Sequence, residues 1–285
     1  MPRSSSELRD FLRARRDAVR PQQAGLAKYP GRRVPGLRRE EVAMLAGVSV
    51  DYYTRLEQGR LTSASEGVIL SIAEALQLTA PETQYLQDLM RPQPRRENRG
   101  RSTPSAQTVR PALVKLLEGM NDQPAFILGR RNEVLATNAL FDALTVPFLQ
   151  RPAHDRNLLR WLLTDPGART LYLDWAEVTS GVVGVLRADA GRYPGDTETA
   201  ALVEEFSQAS PEFRLWWAEH NVVERTWGSK RFDHPVVGRL DITYEALNLP
   251  GDPDQVLFVY PGSTPADVDK LRILASWNTA ARATS

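Results

Sequence analysis

Cysteine is absent from this 285-residue sequence, which excludes a disulfide framework, thiolate zinc and iron–sulfur sites, and a cysteine nucleophile. Nothing argues for an oxidising compartment, so the cytoplasm is the expected address. Histidine is scarce as well: the three present, His154, His220 and His234, are spaced to fit no short zinc motif, and no metal site is expected. Long apolar runs are missing. The longest uncharged stretch, Gln255 to Ala266, has 12 residues with two prolines, too short to span a bilayer, and the opening MPRSSSELRD has no signal-peptide core. No membrane partner is expected. The chain also lacks G-x-S-x-G, a Gly-rich phosphate loop, H-E-x-x-H and a helix-borne carboxylate pair with distinct acid and base roles. Enzyme chemistry is therefore unsupported, with no catalytic residue assigned and no cofactor required.

What is present is ordinary globular material, 42% hydrophobic and 25% charged, in a length that suggests about two domains. The net charge of +1 conceals an asymmetry. Residues 1 to 60 carry 13 Arg/Lys against 7 Asp/Glu, whereas residues 101 to 285 carry 19 against 23. A basic head on a neutral or acidic body is the footprint of nucleic-acid binding, although 32 arginines to 4 lysines also fits simple overuse of Arg.

The first 90 residues read as five helices. Ser4-Ser5-Ser6-Glu7 offers a capping box to the first, with Leu8, Phe11, Leu12 and Val19 at helical spacing. Residues 20 to 37 form a long basic loop rich in proline and glycine. RREEVAMLA is the second helix, with Val42, Leu45 and Ala46 on one face; Gly47-Val48-Ser49 turns the chain, and Ser49 caps VDYYTRLEQ, which Gly59 ends. Ser63-x-x-Glu66 caps a fourth helix and Thr79-x-x-Glu82, with Pro81, starts a fifth. Residues 91 to 107 are a linker. From 108 to 285 a second domain begins with the helix PALVKLLEGM and a hairpin of PAFILG and EVLATN. It continues through helices from about 156 to 227 and two strand-like runs, VVGRLDITYEALNL and QVLFVYPG, to a last helix from about Pro265 to Trp277. The expected folds are a mainly α N-terminal domain (1–90) and an α+β C-terminal domain with an antiparallel sheet.

REEVAMLAGVSVDYYTRLEQG has the geometry of a helix-turn-helix: small Ala43, Gly47 at the turn and apolar Leu56 let two helices cross closely while the second projects outward. These residues resemble the XRE/Cro-type family, in which the second helix lies in the major groove of double-stranded DNA. By position, Ser49, Val50, Asp51, Tyr52 and Arg55 lie at or on the face toward the groove, with Tyr53 and Leu56 inward. Arg55 is the choice for base readout, because a guanidinium can bond guanine O6 and N7 together, although a phosphate contact or a pair with Asp51 would also use it. Arg39 and Arg60 sit where phosphates approach. Arg38, with Arg32 and Arg33, could enter a minor groove or stay solvated.

VPGLRREEVAMLAGVSVDYYTRLEQGR, followed in order by GRRNEVLATN, RNLLRW, SPEFRLWWAEHNV, KRFDHPVVGRLDITYEAL and DPDQVLFVY, resembles helix-turn-helix regulators with a C-terminal MmyB-like ligand-binding domain. The resemblance implies a PAS-like sheet with added helices, an apolar pocket associated with fatty-acid-type ligands, and a homodimeric transcription factor. It places no ligand contact by motif. From the residues themselves, six tryptophans suggest aromatic walls for a small apolar ligand as well as core. Trp161 and Trp216 are the wall candidates, Arg156, Arg160 and Arg214 the candidate anchors for a carboxylate, and His220 a candidate polar group. The alternative is that the second domain serves only dimerisation or protein docking.

Overall fold

The computed structural model describes residues 3–26, 34–61, 63–90, 107–224 and 226–283. Arg32, Arg33 and the linker up to residue 106 lie outside them. The chain divides into two compact units. The first comprises Met1–Arg101 with Arg187–Glu205 and Arg214–Glu224; the second comprises Ser102–Leu186, Phe206–Phe213 and Arg225–Ser285.

The first unit contains α1 (Arg3–Ala18), α2 (Arg39–Leu45), α3 (Val50–Glu57), α4 (Glu66–Ala75) and α5 (Ala80–Met90). To these it adds the last turns of α10 (Trp175–Arg192), most of α11 (Thr197–Ala209) and most of α12 (Pro211–Ala218). Leu8, Phe11, Leu12, Val42, Tyr53, Leu56, Ile72 and Leu86 form one core, which Val222 also enters. Gly47, at φ +65°, makes the turn between α2 and α3 in a conformation that L side chains avoid. Gly59, at φ +68°, stops α3 where an added Cβ would collide with the Ser5 carbonyl. Thr79 and Glu82 form the expected capping box, the Thr79 N–H donating to the Glu82 carboxylate at 2.8 Å.

Three local expectations need correction. Ser4-Ser5-Ser6-Glu7 lies inside α1 rather than ahead of it, because the Glu7 carboxylate accepts from the Tyr85 hydroxyl at 2.8 Å instead of turning back to cap. The N-cap of α4 is Ser65, without a side-chain capping bond, and Glu66 is already its first residue, where a carboxylate suits the helix dipole. In α2 the buried face is Val42, Ala43 and Ala46. Leu45 is exposed, because the inward stripe is centred on the small Ala43.

The second unit is built on a five-stranded antiparallel sheet of order β2-β1-β5-β4-β3: β1 (Ala125–Leu128), β2 (Val134–Thr137), β3 (Trp227–His234), β4 (Gly238–Leu249) and β5 (Asp252–Val259). Alternate residues of β1 point to opposite faces. Phe126 and Leu128 join Val134, Phe232, Ile242 and Phe258 in the larger core with α7 (Ala139–Leu144), α8 (Leu158–Thr164), α9 (Pro166–Leu171) and α13 (Pro265–Ala283). Ala125 and Ile127 face Leu117 of α6 (Pro111–Gly119). Strand β3 falls in a region that the sequence pattern left without a strand. Of its eight residues only Phe232 and His234 are buried, so its alternation is nearly all polar. Pro253 is accommodated in β5 beside a register shift between Asn248 and Leu249 of its partner.

Candidate nucleic-acid interface and ligand site

Helix α3 owes its placement to one cap and one buried carboxylate. Ser49 Oγ accepts from the Tyr52 N–H at 3.1 Å, fixing the first turn. Tyr53, Leu56 and Glu57 turn inward, and Glu57 is only 1% exposed. Its two oxygens are divided between neighbouring helices: Arg16 of α1 donates to Oε1 from Nε at 3.1 Å, and Arg39 of α2 to Oε2 from Nε at 2.6 Å. Arg16 also donates to the Leu37 carbonyl at 2.8 Å. A buried carboxylate held by two guanidiniums thus pins α3 against α1 and α2. Tyr53 lies beside it, its phenol pushed well above the ordinary range by burial and then by the Glu57 charge. Neither Glu57 nor Arg16 was singled out in the sequence. The basic excess of the segment conceals a salt bridge that supports the motif.

The outward face of α3 carries Val50, Asp51 and Arg55, all exposed, with Tyr52 half-buried at its edge. Arg55 Nη2 lies 2.9 Å from Asp51 Oδ2, one turn away. The neighbouring side chains of α2, Met44 and Leu45, are exposed as well. Arg38 precedes α2, its backbone N–H donating to the Glu41 carboxylate at 2.7 Å, and its side chain is exposed. Arg60 follows α3, exposed, with its N–H on the Arg55 carbonyl at 2.9 Å. Arg39 is committed through Nε to Glu57.

The side chains considered for a ligand fall into different units. Arg156, Arg160 and Trp161 belong to the second unit, whereas Arg214, Trp216 and His220 belong to the first. Arg156 donates from Nε to the Arg151 carbonyl at 3.0 Å. Arg160 donates to the His154 carbonyl at 3.1 Å and stands 5.4 Å over the Phe206 ring. Trp161 is core, edge-on to Phe148 and Tyr172, and its buried Nε1 has no hydrogen-bond partner among the described residues. In the first unit Arg214 is exposed and Trp216 half-buried. His220, at φ +54°, lies 3.1 Å from Arg187 through Nδ1. Burial, and then the Arg187 charge, push its pKa down to about 4. Its imidazole is thus neutral at pH 7, and Nδ1 accepts from the guanidinium.

Arg187 is fully buried in the first unit. It ion-pairs with Glu7 of α1, donates to the Trp217 carbonyl and lies 3.9 Å over the Trp217 ring. Beside this group a cavity of about 320 Å³ is lined by Glu7 and Leu89 from α1 and α5 and by Tyr193, Val203, Glu204 and Trp217 from α10 to α12. Helices from the C-terminal half of the chain are therefore built into the unit that carries α3.

In the second unit the sequence reading missed Lys230. It sits on β3 on the same face as Phe232 and His234, with Nζ 4.9 Å from the Tyr244 ring centroid and 5.9 Å from that of Tyr172. Burial pushes its pKa down to about 8, against an opposing pull from Glu177. A lone lysine between two polar residues gives no sequence signal.

A helix-turn-helix whose second helix presents an unsupported outward face, in one chain with an α+β sensor domain, defines a DNA-binding transcription regulator with a ligand-binding domain. Residues 7–86 match the family described as "Helix-turn-helix domain", and residues 109–283 match "MmyB-like transcription regulator ligand binding domain". The second match covers more than half of the chain, which belongs to the MmyB-like transcription regulators. No curated protein matches it. No helix among the described residues is long and apolar enough to cross a membrane.

Proposed function

We propose that this chain is a cytoplasmic, homodimeric regulator of XRE type that reads double-stranded DNA with α3 and responds to a fatty acid or similar amphiphile held by its C-terminal domain. The observation that carries the DNA reading is the division of α3 into a buried face of Tyr53, Leu56 and Glu57 and an open face of Val50, Asp51 and Arg55. Arg55 is the base reader, restrained by Asp51; Val50 and Tyr52 supply apolar and hydroxyl contact. Ser49, Arg38, Arg39 and Arg60 hold the helix to the backbone, positioning without specifying.

One such head offers one recognition helix, so paired half-sites about one helical turn apart call for two copies. Ile273 and Trp277, 58% and 54% exposed and one turn apart on α13, form an apolar stripe suited to the dimer contact. For the ligand, the aromatic core of the second unit is bordered by half-buried Trp175, Val178, Val182, Tyr244 and Ala246. Each methylene buried against such a wall contributes about 0.8 kcal/mol, so chain length should govern affinity. Native mass spectrometry and organic extraction of the purified full chain test this reading, together with a C8 to C18 titration series of free acids and methyl esters. An acyl ligand near one per chain and affinity rising with length are expected. No dependence on length, with no thermal stabilisation by any member, would favour a docking module.

A further inference from the structure

We infer that Lys230 is the anchor for a carboxylate head group in the second unit, at the crease where β3 and β4 face α9 and α10. The geometry is that of a prepared anion site. Strand alternation turns Lys230 to the inner face of the sheet, between Phe232 on its own strand and Ile242, its register partner on β4. Two aromatic rings, Tyr172 and Tyr244, flank the ammonium, and Tyr244 reaches it by lying over Gly228, where a Cβ would stand 2.8 Å from the ring.

A half-buried lysine turned inward, as Lys230 is, normally finds a carboxylate or carbonyl, because an unmatched ammonium there loses part of its hydration. Lys230 has no hydrogen-bond acceptor or ion pair among the described residues. Glu177 at the start of α10 acts on it only through its field, and the other titratable groups facing it, Tyr172, Tyr244 and beyond them Tyr260, have phenols raised by burial and stay neutral. Cation–π contact alone replaces little of the lost solvation. A carboxylate would complete the site, its head meeting Nζ and its chain running along half-buried Val178 and Val182 of α10, which border the same core. The arginines considered earlier are less suited, since Arg156 and Arg160 already donate to backbone carbonyls.

This assignment rests on the amphiphile reading for its chain but not for its head, and the experiment separates the two. Full-length protein and K230M are titrated with dodecanoate, dodecanol and butyrate, and the Lys230 side chain is followed by NMR in protein carrying [13C]lysine, its signal assigned by K230R. Dodecanoate should bind about tenfold tighter than dodecanol, K230M should remove that preference while leaving dodecanol unchanged, and both carboxylates should raise the titration midpoint of Lys230. If butyrate shifts the Lys230 signal while neither long-chain compound binds, the anchor stands and the amphiphile reading falls. A preference for acid over alcohol that survives K230M, or a Lys230 signal that no carboxylate moves, overturns the proposal.

Discussion

Glu7 and Arg187, 180 residues apart, form an ion pair inside the unit that carries α3. Arg187 is fully buried. Its two Nη groups find Glu7, His220 and the Trp217 carbonyl, while Nε has no hydrogen-bond partner among the described residues. Arg15 adds a second tie between the same segments, donating to the Glu219 carbonyl at 2.6 Å and to Asn221 at 3.0 Å. The stability of the DNA-binding head thus depends on residues supplied by the half of the chain that belongs to the ligand-binding family.

Removing Glu7's charge tests that dependence. Glu7→Gln leaves the Arg187 guanidinium buried without a counter-charge and is expected to cost about 3 kcal/mol, the low end for a broken buried pair because Glu7 is itself partly exposed. Denaturant unfolding should show it as a lower midpoint with unchanged slope. Asp51→Asn, which breaks the exposed pair with Arg55, should cost no more than about 0.5 kcal/mol in the same assay.

The pH dependence follows from His220. Its folded-state pKa of about 4 lies below the ordinary value of 6.5, so the unfolded chain binds the proton more readily. The contribution of the neutral imidazole is therefore complete above pH 6.5 and is lost as pH falls toward 4. Unfolding free energies measured from pH 7.5 to 4.5 should decline in the wild type and decline less in His220→Gln, which cannot be protonated. Equal slopes in the two proteins would show that His220 does not titrate in this environment.

Self-association is testable at α13. Ile273→Asp combined with Trp277→Ser should convert a dimer at micromolar concentration into a monomer in sedimentation velocity and, because both side chains are exposed within one chain, should lower the unfolding midpoint only by the concentration-dependent part that association supplies. A monomeric wild type binding a palindromic duplex one-to-one would contradict the dimer.

Position within the resembled helix-turn-helix was enough to divide α3 into two faces. Tyr53 and Leu56 are in, Val50, Asp51 and Arg55 are out, and Ser49 caps as its side chain suggests, while Tyr52, expected outward, is half-buried. What the sequence hid is polar and long-range. Glu57 reads as a solvent-facing charge until Arg16 and Arg39, 41 and 18 residues away, are brought to it. Arg187 sits in GVVGVLRADAG like any surface arginine on an amphipathic helix, and only the fold shows three groups converging on it. Strand β3 escaped because its inner face is Lys230, Phe232 and His234, too little apolar material to declare an alternation. The hairpin of β1 and β2, by contrast, was plain, since β1 is buried throughout and both strands are apolar.

The most direct test of DNA reading by α3 compares Arg55→Ala with Arg60→Ala on a duplex selected from a random library and on a random duplex, by fluorescence anisotropy across a salt series. Arg39 is unsuitable as the backbone control, since its loss would leave Glu57 held by Arg16 alone. Arg55→Ala should cost about 1 to 3 kcal/mol on the selected duplex, little on the random one, and relax preference at one base pair. Arg60→Ala should weaken both duplexes alike and lower the salt slope by about one. Equal losses on both duplexes for both variants, with the same change in salt slope, would contradict the assignment of α3 as the helix that reads sequence.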